Sequence, residues 1–152
     1  MSHRPILLVE DNPMDVDLTL RAFRRQKIAH PIDVARNGEE ALAWLPRWHG
    51  GQPLPVVILL DLNLPRVDGL EVLRQFKADA LVRAVPVVVL TTSAEHEDVR
   101  RAYDRGANSY IVKPVEFEKF IAVAAQIELY WTSLNLQPAD LPGGAVRAIE
   151  GT

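Results

Sequence analysis

The chain has 152 residues, 48% of them hydrophobic and 24% charged, which suits a single globular domain with a proper core. A net charge of -3 gives no broad attraction to nucleic acid or to an anionic membrane, and the absence of cysteine excludes disulfides, thiolate metal sites and a cysteine nucleophile. The N-terminal MSHRP leads to too short an apolar run for a signal peptide, and no run approaches the roughly 20 residues of a membrane span, so a cytoplasmic protein with no membrane or nucleic-acid partner is expected.

Ile6 to Val9 is unbroken apolar sequence, the pattern of a strand buried on both faces, and it ends in Glu10-Asp11. Asn12 suits a helix cap and Pro13 a first helical position. Val16, Leu20 and Phe23 follow helical spacing, with Arg24, Arg25 and Lys27 where cations suit the dipole. Ile32 to Ala35 is a short strand. Asn37-Gly38 reads as a turn, and Ala41, Leu42 and Leu45 start a second helix. Pro46 to Pro55, with Gly50-Gly51, reads as a surface loop carrying Trp48 and a solvated His49.

A second buried strand, Val56 to Leu60, stops abruptly at Asp61. Leu70, Leu73 and Phe76 mark a third helix after Asp68-Gly69. Val87 to Leu90 is a fourth strand ending in Thr91-Thr92-Ser93. A charged helix over Glu95 to Arg105 stops at Gly106. Ser109 to Val112 is a fifth strand ending in Lys113-Pro114, and a last helix begins near Glu116.

Five strands alternating with five helices predict an α/β fold, a doubly wound parallel sheet of flavodoxin-like order 2-1-3-4-5. Four strands end in polar groups: Glu10-Asp11, Asp61, Thr91 and Lys113. Parallel strands bring those ends to one side of the sheet. Clustered carboxylates repel, and a hard divalent cation such as Mg²⁺ removes that penalty, with Mn²⁺ or Ca²⁺ as substitutes. One oxygen of Asp61 then stays free as a nucleophile, while Thr91 and Lys113 suit phosphoryl oxygens. The joint reading is in-line phosphoryl transfer onto Asp61.

LLVEDNP, LLDLNLPRVDGLEVL, VVVLTTSA and GANSYIVKP occur in that order, and over about residues 5 to 125 the chain resembles the receiver domain of two-component response regulators. The resemblance implies Asp61 as phosphoacceptor. It implies Asp11, Asp61 and the main-chain carbonyl of Asn63 as direct Mg²⁺ ligands, with Glu10 acting through water. It implies Thr91 and Lys113 as phosphoryl contacts, a cis Lys113-Pro114 bond, and a sensor histidine kinase as donor. Tyr110 matches the family's aromatic switch position, working with Thr91; its plain alternative is an ordinary strand aromatic. A haloacid-dehalogenase-like phosphatase would need a second Asp at position 63. Asn63 cannot shuttle a proton, so slow self-dephosphorylation is expected rather than enzymatic turnover. A structural receiver that takes no phosphate is a third reading, opposed by the full set of site residues.

Phe117, Phe120, Ile121, Ala124, Ile127, Trp131 and Leu134 form an apolar stripe on a helix expected over Glu116 to Ser133. Such a helix, about 27 Å long, overruns a five-residue strand of about 17 Å. Ile127, Tyr130, Trp131 and Leu134 are therefore expected either to fold back on their own domain or to form a homodimer interface, the reading favoured here. A receiver domain is expected over residues 1–133. Residues 134–152 are expected as a dimerisation arm or a disordered tail, without an output domain. The ending IELYWTSLNLQP is similar to that of single-domain regulators paired with cyanobacterial-type phytochromes and bacteriophytochromes, which implies a light-sensing kinase and an arm-in-arm dimer.

Overall fold

A computed structural model describes residues 4–141. Five parallel strands form one sheet: β1 (Ile6–Val9), β2 (Ile32–Ala35), β3 (Val57–Leu60), β4 (Val87–Thr91) and β5 (Ser109–Val112), in the order β2-β1-β3-β4-β5. The helices are α1 (Pro13–Arg25), α2 (Gly38–Leu42), α3 (Trp44–His49), α4 (Gly69–Ala78), α5 (His96–Asp104) and α6 (Phe117–Leu129). The expected flavodoxin-like architecture is the observed one.

The central strands are buried on both faces because they feed two cores. On β1 and β3 successive side chains alternate between them. Leu7, Val9, Ile58 and Leu60 pack with Val72, Leu73 and Phe76 of α4. Ile6, Leu8, Val57 and Leu59 pack with Phe23 of α1 and Phe120, Ile121 and Ala124 of α6. The helix starts are set by short polar side chains. Asn12 Oδ1 accepts from Met14 N (2.9 Å), Asn37 Oδ1 from Glu40 N (2.8 Å) and Asp68 Oδ1 from Glu71 N (3.0 Å).

The structure corrects several expectations. Pro46 to Pro55 begins as helix rather than loop, because Pro46 falls in the first turn of α3, where its missing N–H breaks no helical bond. Trp48 is buried and stacks edge-on against Phe76, with ring centroids 5.5 Å apart. His49 Nε2 lies 2.8 Å from Asp79 Oδ2, so its imidazole ties α3 to the end of α4 instead of being merely solvated. No peptide bond is cis among the described residues, so Lys113-Pro114 is trans, the isomer favoured by about 0.5–1 kcal/mol before proline.

The last helix runs as expected, α6 passing into a π-helical turn over Tyr130–Leu134. Ile127, expected at an interface, is 3% exposed and sits in the core of its own domain, because it shares the inner face of α6 with Phe120 and Ala124. Trp131 leans on the same core. Leu129, Tyr130, Leu134 and Leu136 are exposed. The chain then returns to its own domain. Gln137 is buried; its Nε2 donates to the Val56 carbonyl (2.8 Å), and Arg4 Nη2 donates to its Oε1 (3.1 Å). Pro142, Gly143-Gly144, Val146 and Ile149 of the expected arm lie outside the described residues. Among the described residues no helix is long and apolar enough to cross a membrane.

Candidate phosphoacceptor site

Parallel strands deliver their C-terminal ends to one rim. Asp61 follows β3, Glu10-Asp11 follow β1, Thr91 closes β4 and Lys113 follows β5. Glu10, Asp61 and Thr91 are buried while Asp11 and Asn63 are exposed, so the site opens on one side. The main-chain N–H of Lys113 donates to the Thr91 carbonyl (2.8 Å), which fixes the fifth strand against the fourth at this edge.

The two oxygens of Asp61 have different partners. Oδ1 accepts from Thr91 Oγ1 (2.9 Å) and from the N–H of Asn63 (3.1 Å). Among the described residues Oδ2 accepts only from Lys113 Nζ, at 3.0 Å. The same ammonium donates to Glu10 Oε1 and, at 3.1 Å, to Asp15 Oδ2. Glu10 Oε2 accepts from Asn12 N (3.2 Å).

The electrostatics follow from burial and crowding. Burial pushes the Glu10 carboxyl up to about 7; the bond from Lys113 opposes this and the Asp61 charge adds to it. Burial works against the Lys113 charge, yet the bond to Glu10 and the charges of Asp61 and Glu10 hold its pKa above the usual lysine range. Lys113 is the one cation bonded to this cluster among the described residues.

Glu10, Asp11 and Asp61 each offer a carboxylate oxygen, all within 4.8 Å of one another. An all-oxygen set of this kind fits a hard divalent cation, Mg²⁺, Mn²⁺ or Ca²⁺, better than a softer metal. The buried Glu10 carboxyl, costly to charge, supplies the reason a cation would be favoured there.

Every strand-end residue singled out in the sequence therefore meets at this rim. Tyr110 does not touch Asp61. Its hydroxyl donates to the Ser93 carbonyl (2.9 Å), and its ring is half-buried against the α4-side core. Tyr130, Trp131 and Leu134 lie in the π-helical turn that follows α6 and, among the described residues, make no hydrogen bond to the strand-end cluster. Sequence reasoning missed Asp15, which lies in the first turn of α1 and meets the site through Lys113.

Residues 6–125 match the family model of the response regulator receiver domain. The chain belongs to the response regulator receiver family. It is 48% identical over 135 residues to a probable methanogenesis regulatory protein, FilR2, of Methanothrix harundinacea (strain 6Ac), covering 88% of this chain and 86% of that one. The crystal structure of the phosphorylated cyanobacterial phytochrome response regulator RcpA is 37% identical and superposes with a TM-score of 0.83, covering 90% of this chain and 99% of that one. The bacteriophytochrome response regulator AtBRR is 46% identical with a TM-score of 0.70, covering 90% and 100%. This receiver thus shares its fold and most of its length with regulators linked to phytochromes.

Proposed function

We propose that this receiver accepts a phosphoryl group on Asp61 from the phosphohistidine of a sensor histidine kinase. The observation that carries the reading is the division of labour on one carboxylate. Oδ1 is held by Thr91 and the Asn63 N–H, and Oδ2, among the described residues, is reached by Lys113 alone.

Oδ2 forms the new O–P bond, the P–N bond of the donor breaks, and its electron pair leaves on the imidazole nitrogen. Thr91 Oγ1 and Lys113 Nζ donate to the phosphoryl oxygens, where charge must be neutralised. Asp11, Asp61 and the main-chain carbonyl of Asn63 would hold Mg²⁺ directly, with Glu10 through water. Bound there, the cation supplies charge neutralisation between the carboxylates and the phosphoryl group. Asn63 offers an amide where a phosphatase needs a proton-transferring acid, so water removes the group slowly and the chain is a signalling acceptor rather than a turnover enzyme.

The signal leaves through Thr91 and Tyr110. Thr91 shifts toward the phosphoryl oxygens, and the Tyr110 ring moves off the Ser93 carbonyl into the space released, altering the α5–β5 surface. The exposed Tyr130 and Leu134, with the half-exposed Trp131, support an isologous homodimer built on the end of α6. The likeness to RcpA and AtBRR supports a phytochrome-type light-sensing kinase as donor. The test is chemical: after incubation with acetyl phosphate and Mg²⁺, borohydride reduction converts an aspartyl phosphate to homoserine. Peptide mapping should find homoserine at position 61, and homoserine elsewhere would contradict the assignment.

A further inference from the structure

The Lys113 ammonium has three N–H donors and three carboxylate partners: Glu10, Asp61 and Asp15. Two of the three carboxylates belong to the cation and phosphoryl chemistry. Asp15 does not: it lies outside the cluster of Glu10, Asp11 and Asp61 and on a different element, the first turn of α1. That turn is fixed from behind, since the Thr19 hydroxyl, buried at 2% exposure, donates to the Asp15 carbonyl (2.8 Å).

We propose that Asp15 is a positioning residue for phosphoryl transfer, holding Lys113 beside Asp61 while the other two carboxylates change partners. The inference rests on the receiver reading of the same site. As Asp61 Oδ2 forms its bond to phosphorus, its negative charge is drawn off and its hold on Lys113 weakens. For Glu10 to serve a cation, its bond to the ammonium must also loosen. An ammonium on a flexible four-carbon stem that lost both partners would swing away or settle back on the nucleophile. The bond to Asp15 keeps it a short displacement from Oδ2, aimed at the incoming phosphoryl oxygens. Asp61 gains the O–P bond, the donor keeps the electron pair of the bond that breaks, and Lys113 donates hydrogen bonds without losing a proton.

The experiment measures phosphoryl uptake from acetyl phosphate by intact mass against Mg²⁺ concentration, in wild type, Asp15→Asn, Lys113→Met and the double variant. The maximal rate of Asp15→Asn should fall about tenfold. Its half-saturating Mg²⁺ should stay within about twofold of wild type. In the Lys113→Met background the same substitution should cost nothing further, because the residue it positions is gone. A second readout needs no metal. In EDTA, the product of the unfolding equilibrium constants of the two single variants should differ about fivefold from the product of the wild-type and double-variant constants. A wild-type rate in Asp15→Asn, an equal loss in both backgrounds, a change confined to Mg²⁺ half-saturation, or absence of coupling in EDTA would each overturn the proposal. Wild-type protein that takes no phosphoryl group contradicts the receiver reading instead, and the EDTA coupling then still decides on Asp15.

Discussion

Gly69 stands directly against the main-chain carbonyl of Asp61: a Cβ at position 69 would lie 2.4 Å from that oxygen and 2.5 Å from Leu62 Cα. Both obstacles are backbone, so neither can rotate away. The start of α4 is thus pressed onto the loop that carries Asp61, and the Gly69 N–H donates to the Leu62 carbonyl (3.0 Å) to hold it there. Gly69→Ala should cost about 1–3 kcal/mol in urea unfolding, as overpacked sites do. Because the loop that must shift carries Asp61, phosphoryl uptake should slow in the same variant. Unchanged stability and uptake would mean the contact yields more easily than its geometry says.

Trp48 anchors α3 to the core through Phe76 of α4, and Trp44 of its own helix stacks on its other side. Trp48→Ala should destabilise by about 3–5 kcal/mol, the usual cost of emptying a buried aromatic site. Urea unfolding followed by circular dichroism measures it, and a loss below about 1 kcal/mol would place Trp48 outside the core.

The Asp79 carboxyl is raised by burial, but the bonds from His49 and from the N–H groups of Val82 and Leu81 outweigh that and hold it below the usual carboxylate range. A depressed folded pKa stabilises the fold above the unfolded value. The contribution is therefore complete above about pH 4 and is lost as pH falls through the depressed value. Asp79→Asn should flatten the acid limb of a stability profile below pH 4, with little change in slope near neutrality. A wild-type acid limb in the variant would contradict this.

The apolar end of the last helix gives a prediction about assembly. Leu134, 64% exposed, can accept a charge without disturbing its own domain. Leu134→Asp should convert a dimer in sedimentation equilibrium to a folded monomer whose melting temperature no longer rises with protein concentration. A monomeric wild type would remove the interface, and a dimeric variant would move it elsewhere.

How much was readable beforehand follows from which forces decide each element. The inner strands β1, β3 and β4 were legible because burial on both faces leaves unbroken apolar runs, and Asp61 was conspicuous because a carboxylate closes one of them. Glu10, Asp11, Thr91 and Lys113 followed from topology, since parallel strands must share a rim. The Pro46 to Pro55 stretch misled because proline and paired glycines signal a break, whereas tertiary packing of Trp48 decides the matter. Ile127 was placed past the core by comparing helix and strand lengths, whereas the stripe it shares with Phe120 and Ala124 keeps it on the inner face of α6. Asp15 was invisible because its partner Lys113 lies 98 residues downstream.

The most direct measurement is intact mass after incubation with acetyl phosphate. Wild-type protein with Mg²⁺ should gain a single phosphoryl adduct, and the adduct should be absent with EDTA and absent in Asp61→Asn. An unmodified wild type, or an adduct that persists in Asp61→Asn, would contradict the assignment of Asp61 as acceptor.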